Sequence, residues 1–128
     1  MKILGIGVDV IENKRIQSLI NNKSFITRTF GKKEVNLSKN ISNKTNYFAK
    51  RFAAKESFAK SLGTGFRKGL NFKDIEILND KIGKPYFLKS KKINEIINKK
   101  FKIRSYDLFL SISDEKDYSV AFTILQKK

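Results

Sequence analysis

Thr45-Asn46-Tyr47-Phe48-Ala49-Lys50-Arg51-Phe52-Ala53-Ala54-Lys55-Glu56-Ser57-Phe58-Ala59-Lys60-Ser61-Leu62 is the longest periodic stretch of the chain, and Gly63 ends it. Phe48, Phe52, Glu56 and Ala59 recur at helical spacing, so one stripe of an α-helix carries all four. A glutamate in an apolar stripe is costly to bury unless it is paired or binds a metal. Lys60 lies one turn beyond it, able to compensate Glu56 or to address the same ligand. A structural ion pair of Glu56 with Lys60 or Arg51 is the alternative. Gly63-Thr64-Gly65 then forms a turn that follows a helix and lacks the longer glycine pattern of a nucleotide-binding loop. It reads as a helix terminus whose backbone amides can also hold phosphate oxygens beside Lys60.

Upstream, residues 3–11 read as a buried strand, with Gly5 and Gly7 permitting close approach and Asp9 near its end. Such a strand-end acid caps a turn, pairs with a base or binds a cation. Residues 12–20 suit a short helix with Ile16, Leu19 and Ile20 inward and Lys14 and Arg15 outward. Ser24 is placed to cap a second helix through Phe30, and residues 31–43 suggest a helical turn followed by a loop. Downstream, Phe72 to Leu78 alternates as a half-buried strand, residues 79–85 supply a turn, and Tyr86 to Leu88 form a short return strand. Ser90 opens a helix to about Lys99. Residues 104–113 and 118–125 are strands joined by the hairpin Asp114-Glu115-Lys116-Asp117. A strand, then helices, then a mostly antiparallel remainder is an α+β pattern, and 128 residues make one domain, residues 1–128.

The formal charge of +16 favours anionic partners. Only five of the 28 basic residues are arginine, however, and a lysine excess spread over all surfaces says little about any one partner. Cysteine and histidine are both absent. That removes disulfides, thiolate metal sites, the commonest general base and any serine–histidine–acid triad. Ser111 and Ser113 therefore receive no nucleophilic role. Metal binding must use oxygen ligands, which favours magnesium, manganese or calcium, and magnesium often takes only one or two protein carboxylates while phosphates supply more. No apolar run is long enough to span a membrane, and the amino terminus leads straight into a strand without a secretory signal.

Four ordered blocks are similar to the holo-acyl-carrier-protein synthases, the small bacterial type of 4′-phosphopantetheinyl transferase. The first runs from Ile3-Leu4-Gly5-Ile6-Gly7-Val8-Asp9-Val10-Ile11-Glu12 through Arg15-Ile16, and the second is Arg51-Phe52-Ala53-Ala54-Lys55-Glu56 with Lys60 and Gly63-Thr64-Gly65. Asp74-Ile75-Glu76-Ile77 before Gly83-Lys84-Pro85 is the third, and Ser111-Ile112-Ser113-Asp114-Glu115 with Tyr118 and Ala121 the fourth. The resemblance implies that family's fold, a mostly antiparallel sheet against a long central helix with short amino-terminal helices. It implies transfer of the 4′-phosphopantetheine arm of coenzyme A to a serine of apo-acyl carrier protein, releasing adenosine 3′,5′-bisphosphate, a reaction of fatty acid biosynthesis in the cytoplasm. Asp9 and Glu56 are then the ligands of magnesium (or manganese), and Lys60 contacts phosphate. Arg51 and the Gly63-Thr64-Gly65 turn meet coenzyme A. Arg15 lies in the helix that docks the carrier, with Lys14, Lys23 and Arg28 completing the basic face. Relatives are trimers with the cofactor between subunits, so a homotrimer is expected. Many members carry histidine where this chain has Asp114, and others carry aspartate, as here.

The implied chemistry is displacement at the pantetheine-side phosphorus. With no imidazole in the chain, the base is a water oriented by Glu56 or Asp9, or a phosphate oxygen. Two rivals stand beside this reading. A basic nucleic-acid-binding module is supported by charge alone, with no recognised motif and no specific nucleic acid implied. An inactive scaffold with a relic site conflicts with Asp9, Glu56, Lys60 and the glycine turn all being intact.

Overall fold

The glycine spacing of the first strand decides how the molecule is built. In the computed structural model, which describes residues 1–66 and 69–128, strand β1 (Lys2–Glu12) lies directly under helix α4 (Lys44–Leu62). A Cβ placed on Gly5 would sit 1.8 Å from the Ser61 carbonyl oxygen, and one on Gly7 would sit 1.9 Å from that of Ser57. Helix and strand backbones therefore touch at a separation that no residue with a side chain permits. Asn43 caps α4 by accepting from the Asn46 amide, and Gly63 ends it in the left-handed conformation, φ 79°.

Between β1 and α4 come three helices of seven residues each: α1 (Asn13–Leu19), α2 (Lys23–Thr29) and α3 (Lys32–Ser38). The cap of α2 is Asn22, whose side chain accepts from the Phe25 amide at 3.1 Å. Ser24, expected to cap this helix, lies inside it and accepts from Arg28. Helix α3 is a full element where only a turn and a loop were expected. Its Glu34 accepts from the Gly31 amide and is completely buried, which hydropathy reads as a solvent-facing position.

After α4, the segment expected to be a strand from Phe72 begins instead as a 3₁₀ turn, Phe72–Asp74. The Asp74 carboxylate accepts from the Asn71 amide and fixes that turn, so strand β2 is confined to Ile77–Asn79. It pairs antiparallel with β3 (Pro85–Phe87) as a two-stranded ribbon. Helix α5 (Lys91–Phe101) is capped by Ser90 and buries Ile93 and Ile97.

Strands β4 (Tyr106–Asp114) and β5 (Tyr118–Lys127) form a hairpin, and β1 joins its far side antiparallel, giving the order β1-β5-β4. The fold is thus the α+β arrangement expected, with an antiparallel sheet against one long helix. Ser119, Ala121, Thr123 and Leu125 of β5 are buried under that helix, and Ser57 hydrogen-bonds Thr123 at 2.6 Å. The alternate residues of β1, Ile6, Val8 and Val10, face the other way and are exposed.

Because the Gly7 contact is with helix backbone, neighbouring rotamers cannot relieve it. Gly7→Ala is expected to destabilise the protein by about 3 kcal/mol or more, read from urea denaturation midpoints. A stability equal to the parent's would show that α4 can lift off β1 without loss.

Candidate active site

The close β1–α4 crossing determines which side chains meet. Asp9 follows Gly5 and Gly7 on the helix-facing side of β1, and Glu56 and Lys60 project from consecutive turns of α4. Lys60 Nζ donates to the Val8 carbonyl at 2.9 Å and to Asp9 Oδ1 at 3.3 Å. The structure thus joins residues 51 positions apart in sequence.

Electrostatics bind the remaining members into the same cluster. Partial burial pushes the Asp9 carboxyl above its ordinary range, while the Lys60 hydrogen bond and the charges of Lys60 and Arg15 pull it back. Glu56 is also raised, first by burial and then by the negative charge of Asp9, against the opposing pull of Lys60 and Arg15. Each acid thus sits in a space that disfavours its own charge, and the Glu56 carboxylate makes no hydrogen bond among the described residues. Two partly desolvated carboxylates side by side, with cations at their rim, suit a hard divalent ion. Among the described residues no group of three or more acidic side chains gathers to hold a metal, so other ligands would have to complete its shell.

Gly63 and Gly65, with φ of 79° and 63°, bracket half-buried Thr64 at the end of α4, one turn past Lys60. Arg51 is placed differently. Its guanidinium lies over the Tyr47 ring, 3.7 Å from the centroid, and donates to Asn79 Oδ1 at 2.6 Å. Arg51 is 5 % exposed, its Nε has no partner among the described residues, and it lines a cavity of about 310 Å³ with Asn46, Lys50 and Asp114. Asp114 itself accepts from Asn46 at 2.5 Å.

Lys14, Arg15, Lys23 and Arg28 are all exposed on α1 and α2. Arg15 therefore belongs to two settings, the outer helical face and the field of the acid pair. The second was invisible to local periodicity, because it depends on how α1 is set against β1. Sequence reasoning also missed a groove of about 460 Å³ beside Arg28, walled by Phe25, Phe52, Phe66 and Phe72. The rings of Phe25, Phe52, Phe72 and Phe66 stack in succession. Aromatic residues from four elements carry no common spacing, so no local signal announces them.

The family model described as the 4′-phosphopantetheinyl transferase superfamily matches residues 5–123. The holo-[acyl-carrier-protein] synthase of Pelagibacter ubique (strain HTCC1062) is 59 % identical over 128 residues, covering 100 % of both chains. That of Orientia tsutsugamushi (strain Boryong) is 43 % identical over 127 residues and 96 % of each chain. Among solved structures, holo-[acyl-carrier-protein] synthase from Neisseria meningitidis has a TM-score of 0.88 at 36 % identity, over 98 % of this chain and 99 % of that one. The Bacillus anthracis str. Ames synthase in complex with CoA (3′,5′-ADP) has a TM-score of 0.83 at 35 % identity, covering 100 % of both chains.

A carboxyl whose folded-state pKa exceeds its unfolded value makes the folded protein hold protons more tightly. Stability without a cation then falls as pH rises through the carboxylate range. Glu56→Gln is expected to melt above the parent at about pH 7 without divalent cation, and the gap should close as pH falls below the ordinary carboxylate range, where both acids become protonated in either state. A gap independent of pH in thermal melts would show that the acids do not strain each other.

Proposed function

The chain belongs to the holo-[acyl-carrier-protein] synthases of the 4′-phosphopantetheinyl transferase superfamily, and from that membership we infer that it transfers 4′-phosphopantetheine from coenzyme A to a serine of apo-acyl carrier protein. The observation that carries the assignment into this molecule is the meeting of Asp9, Glu56 and Lys60 at the glycine-closed crossing of β1 and α4. Residues 1–128 act as one transferase domain.

The serine Oγ–P bond forms at the pantetheine-side phosphorus while the pyrophosphate P–O bond breaks, and adenosine 3′,5′-bisphosphate departs with the bond's electron pair. Asp9 and Glu56 would hold magnesium, which when bound neutralises charge on the phosphoryl oxygens. Their hard oxygens and mutual strain fit that ion, and pyrophosphate oxygens can complete its shell. Lys60 spends two of its three donors on Val8 and Asp9, which leaves one for a phosphate oxygen. It offsets charge on the departing group. The serine proton passes to water oriented by Asp9 or Glu56, or to a phosphate oxygen, because the chain has no imidazole. The Gly63-Thr64-Gly65 turn lies one turn beyond Lys60 and offers its amides along the cofactor. The exposed Lys14, Arg15, Lys23 and Arg28 face the acidic carrier, so its apparent affinity falls as salt is raised.

The outer face of the sheet supports assembly. Ile6, Ile124 and Phe109 align across its three strands, as do Val8, Phe122 and Ser111, then Val10, Val120 and Ser113. Exposures of 59 % at Ile6 and Val10 and 48 % at Phe109 leave an apolar face that a lone chain would present to water. Copies of the same chain cover it as a homotrimer with coenzyme A in the clefts between subunits. There the buried Arg51 of one copy, with its unpartnered Nε, meets a phosphate of cofactor held by the acid cluster of the next. No helix among the described residues is long and apolar enough to cross a membrane. The cytoplasm is the compartment this reaction implies.

Incubated with coenzyme A, magnesium and apo-acyl carrier protein, the protein is expected to add one phosphopantetheine to the carrier, read by intact mass, and to stop under chelation. Asp9→Ala should lower turnover roughly a hundredfold or more. Near-normal turnover of that variant at limiting magnesium would remove Asp9 from the reaction. Separately, Phe122→Lys should convert the assembly to monomers in light scattering and abolish turnover with the fold intact. A variant of unchanged mass would exclude the outer sheet face as the interface.

A further inference from the structure

Lys55 precedes Glu56 and points about 100° away from it around the helix, into the core. It is completely buried, and its ammonium donates to Glu34 Oε1 at 2.6 Å, to the Phe72 carbonyl at 3.0 Å and to the Ile75 carbonyl. An ammonium has three donors, so Lys55 is saturated. Glu34 is equally engaged: Oε1 also accepts from the Gly31 amide at 3.0 Å and Oε2 from the Ile77 amide at 3.0 Å. The Tyr47 hydroxyl donates to its backbone carbonyl at 2.6 Å. One ion pair thus gathers α3, α4, the 3₁₀ turn and β2.

Stability alone does not account for it. Taking both charges out of water offsets their attraction, and an apolar pair of similar volume holds many folds as well. An apolar residue at position 55 could not, however, satisfy the carbonyls of Phe72 and Ile75, which lie on the segment returning from the Gly63-Thr64-Gly65 turn. Among the described residues, this return is held to α4 by the Phe52–Phe72–Phe66 stack, by the burial of Leu70, Ile75 and Ile77, and by the directed bonds of this ammonium to Phe72 and Ile75. Stacked rings slide easily, whereas three directed hydrogen bonds set a register.

We propose that Lys55 is a positioning residue for coenzyme A: by fixing Phe72, Ile75 and, through Glu34, Ile77 to helix α4 next to Glu56, it holds the glycine turn in one setting relative to the acid pair. The proposal rests on the transferase reading above. It gives the completely buried Lys55 a part in the reaction without contact with the reacting atoms.

The test compares the parent with Lys55→Met/Glu34→Gln, which removes the ion pair, and with Lys55→Gln, which shortens and neutralises the donor. Steady-state kinetics with carrier protein are paired with the thermal shift produced by adenosine 3′,5′-bisphosphate, which reports binding without turnover. In folded variants the coenzyme A KM should rise at least about tenfold while kcat at saturation falls less than about threefold, and the thermal shift should shrink in parallel. A purely structural lysine would lower the folded fraction, and hence kcat, with KM unchanged; that result overturns the proposal. Failure of both variants to fold would assign the pair to folding itself and overturn it equally. A parent protein that transfers nothing would sink the transferase reading, whereas an unchanged nucleotide-induced shift in the variants sinks only the role of Lys55.

Discussion

Helix α4 can lie on strand β1 only because Gly5 and Gly7 have no side chains, and the rest of the structure follows from that contact. Were the helix a few ångströms higher, Lys60 could not reach the Val8 carbonyl and the Asp9 carboxylate together. Asp9 would then face water, and neither acid would feel the other. Close packing is thus what turns two ordinary carboxylates, one on a strand and one on a helix, into a strained pair. The same approach lets Ser57 bond Thr123 beneath the sheet, so the crossing is fixed on β5 as well as on β1.

Strain in this pair has a direction. Burial raises both acids and the charge of Asp9 raises Glu56 further, while Lys60 and Arg15 restrain them without cancelling the effect. On the proposed reading Asp9 and Glu56 would hold a divalent cation, whose charge would relieve what the protein's own cations leave. In a chain of net charge +16, two partly buried acids flanked by Lys60 and Arg15 would suit a ligand that brings both a hard cation and phosphate oxygens. Arg15 lies on the exposed face of α1 and in the field of the acid pair, so the proposed carrier-docking surface and the proposed active site would share one electrostatic component.

How much was legible in advance depended on the range of the forces involved. The long helix, its stop at Gly63 and the final hairpin are set by local periodicity and turn chemistry, and the structure has them within two residues of the expected bounds. Asp9 and Glu56 were visible because a charged residue in an apolar pattern is anomalous wherever it falls. The expected Phe72–Leu78 strand failed because alternation of apolar residues cannot register that the Asp74 carboxylate accepts from the Asn71 amide. Ser24 and Asn22 are both competent caps, and the choice between them rests on where the preceding helix ends. Glu34 was illegible for another reason: its burial is made possible by partners 21 and 43 residues away, which no window of sequence contains.

The positions of the arginines argue that one chain presents two halves of different sites. Glu56 and Lys60 occupy the carboxyl-terminal half of α4, over β1. Arg51 is held lower on the same helix, clamped by Tyr47 and Asn79 beside the β2–β3 turn and the end of β4. Arg51 is firmly oriented, and its buried Nε lacks a partner among the described residues; on the proposed reading its guanidinium would meet a phosphate of the cofactor. Coenzyme A carries a pyrophosphate and a separate 3′-phosphate, which is the division of charge that two such spaced positions suit. On the proposed homotrimer, copies packed through the apolar sheet face at Val8 and Phe122 would bring the acid cluster of one beside its neighbour's flank. On that reading the exposed Val8, Val10, Phe109 and Phe122 would belong to the catalytic arrangement, because a lone chain would hold the proposed acid cluster apart from the Arg51 it needs.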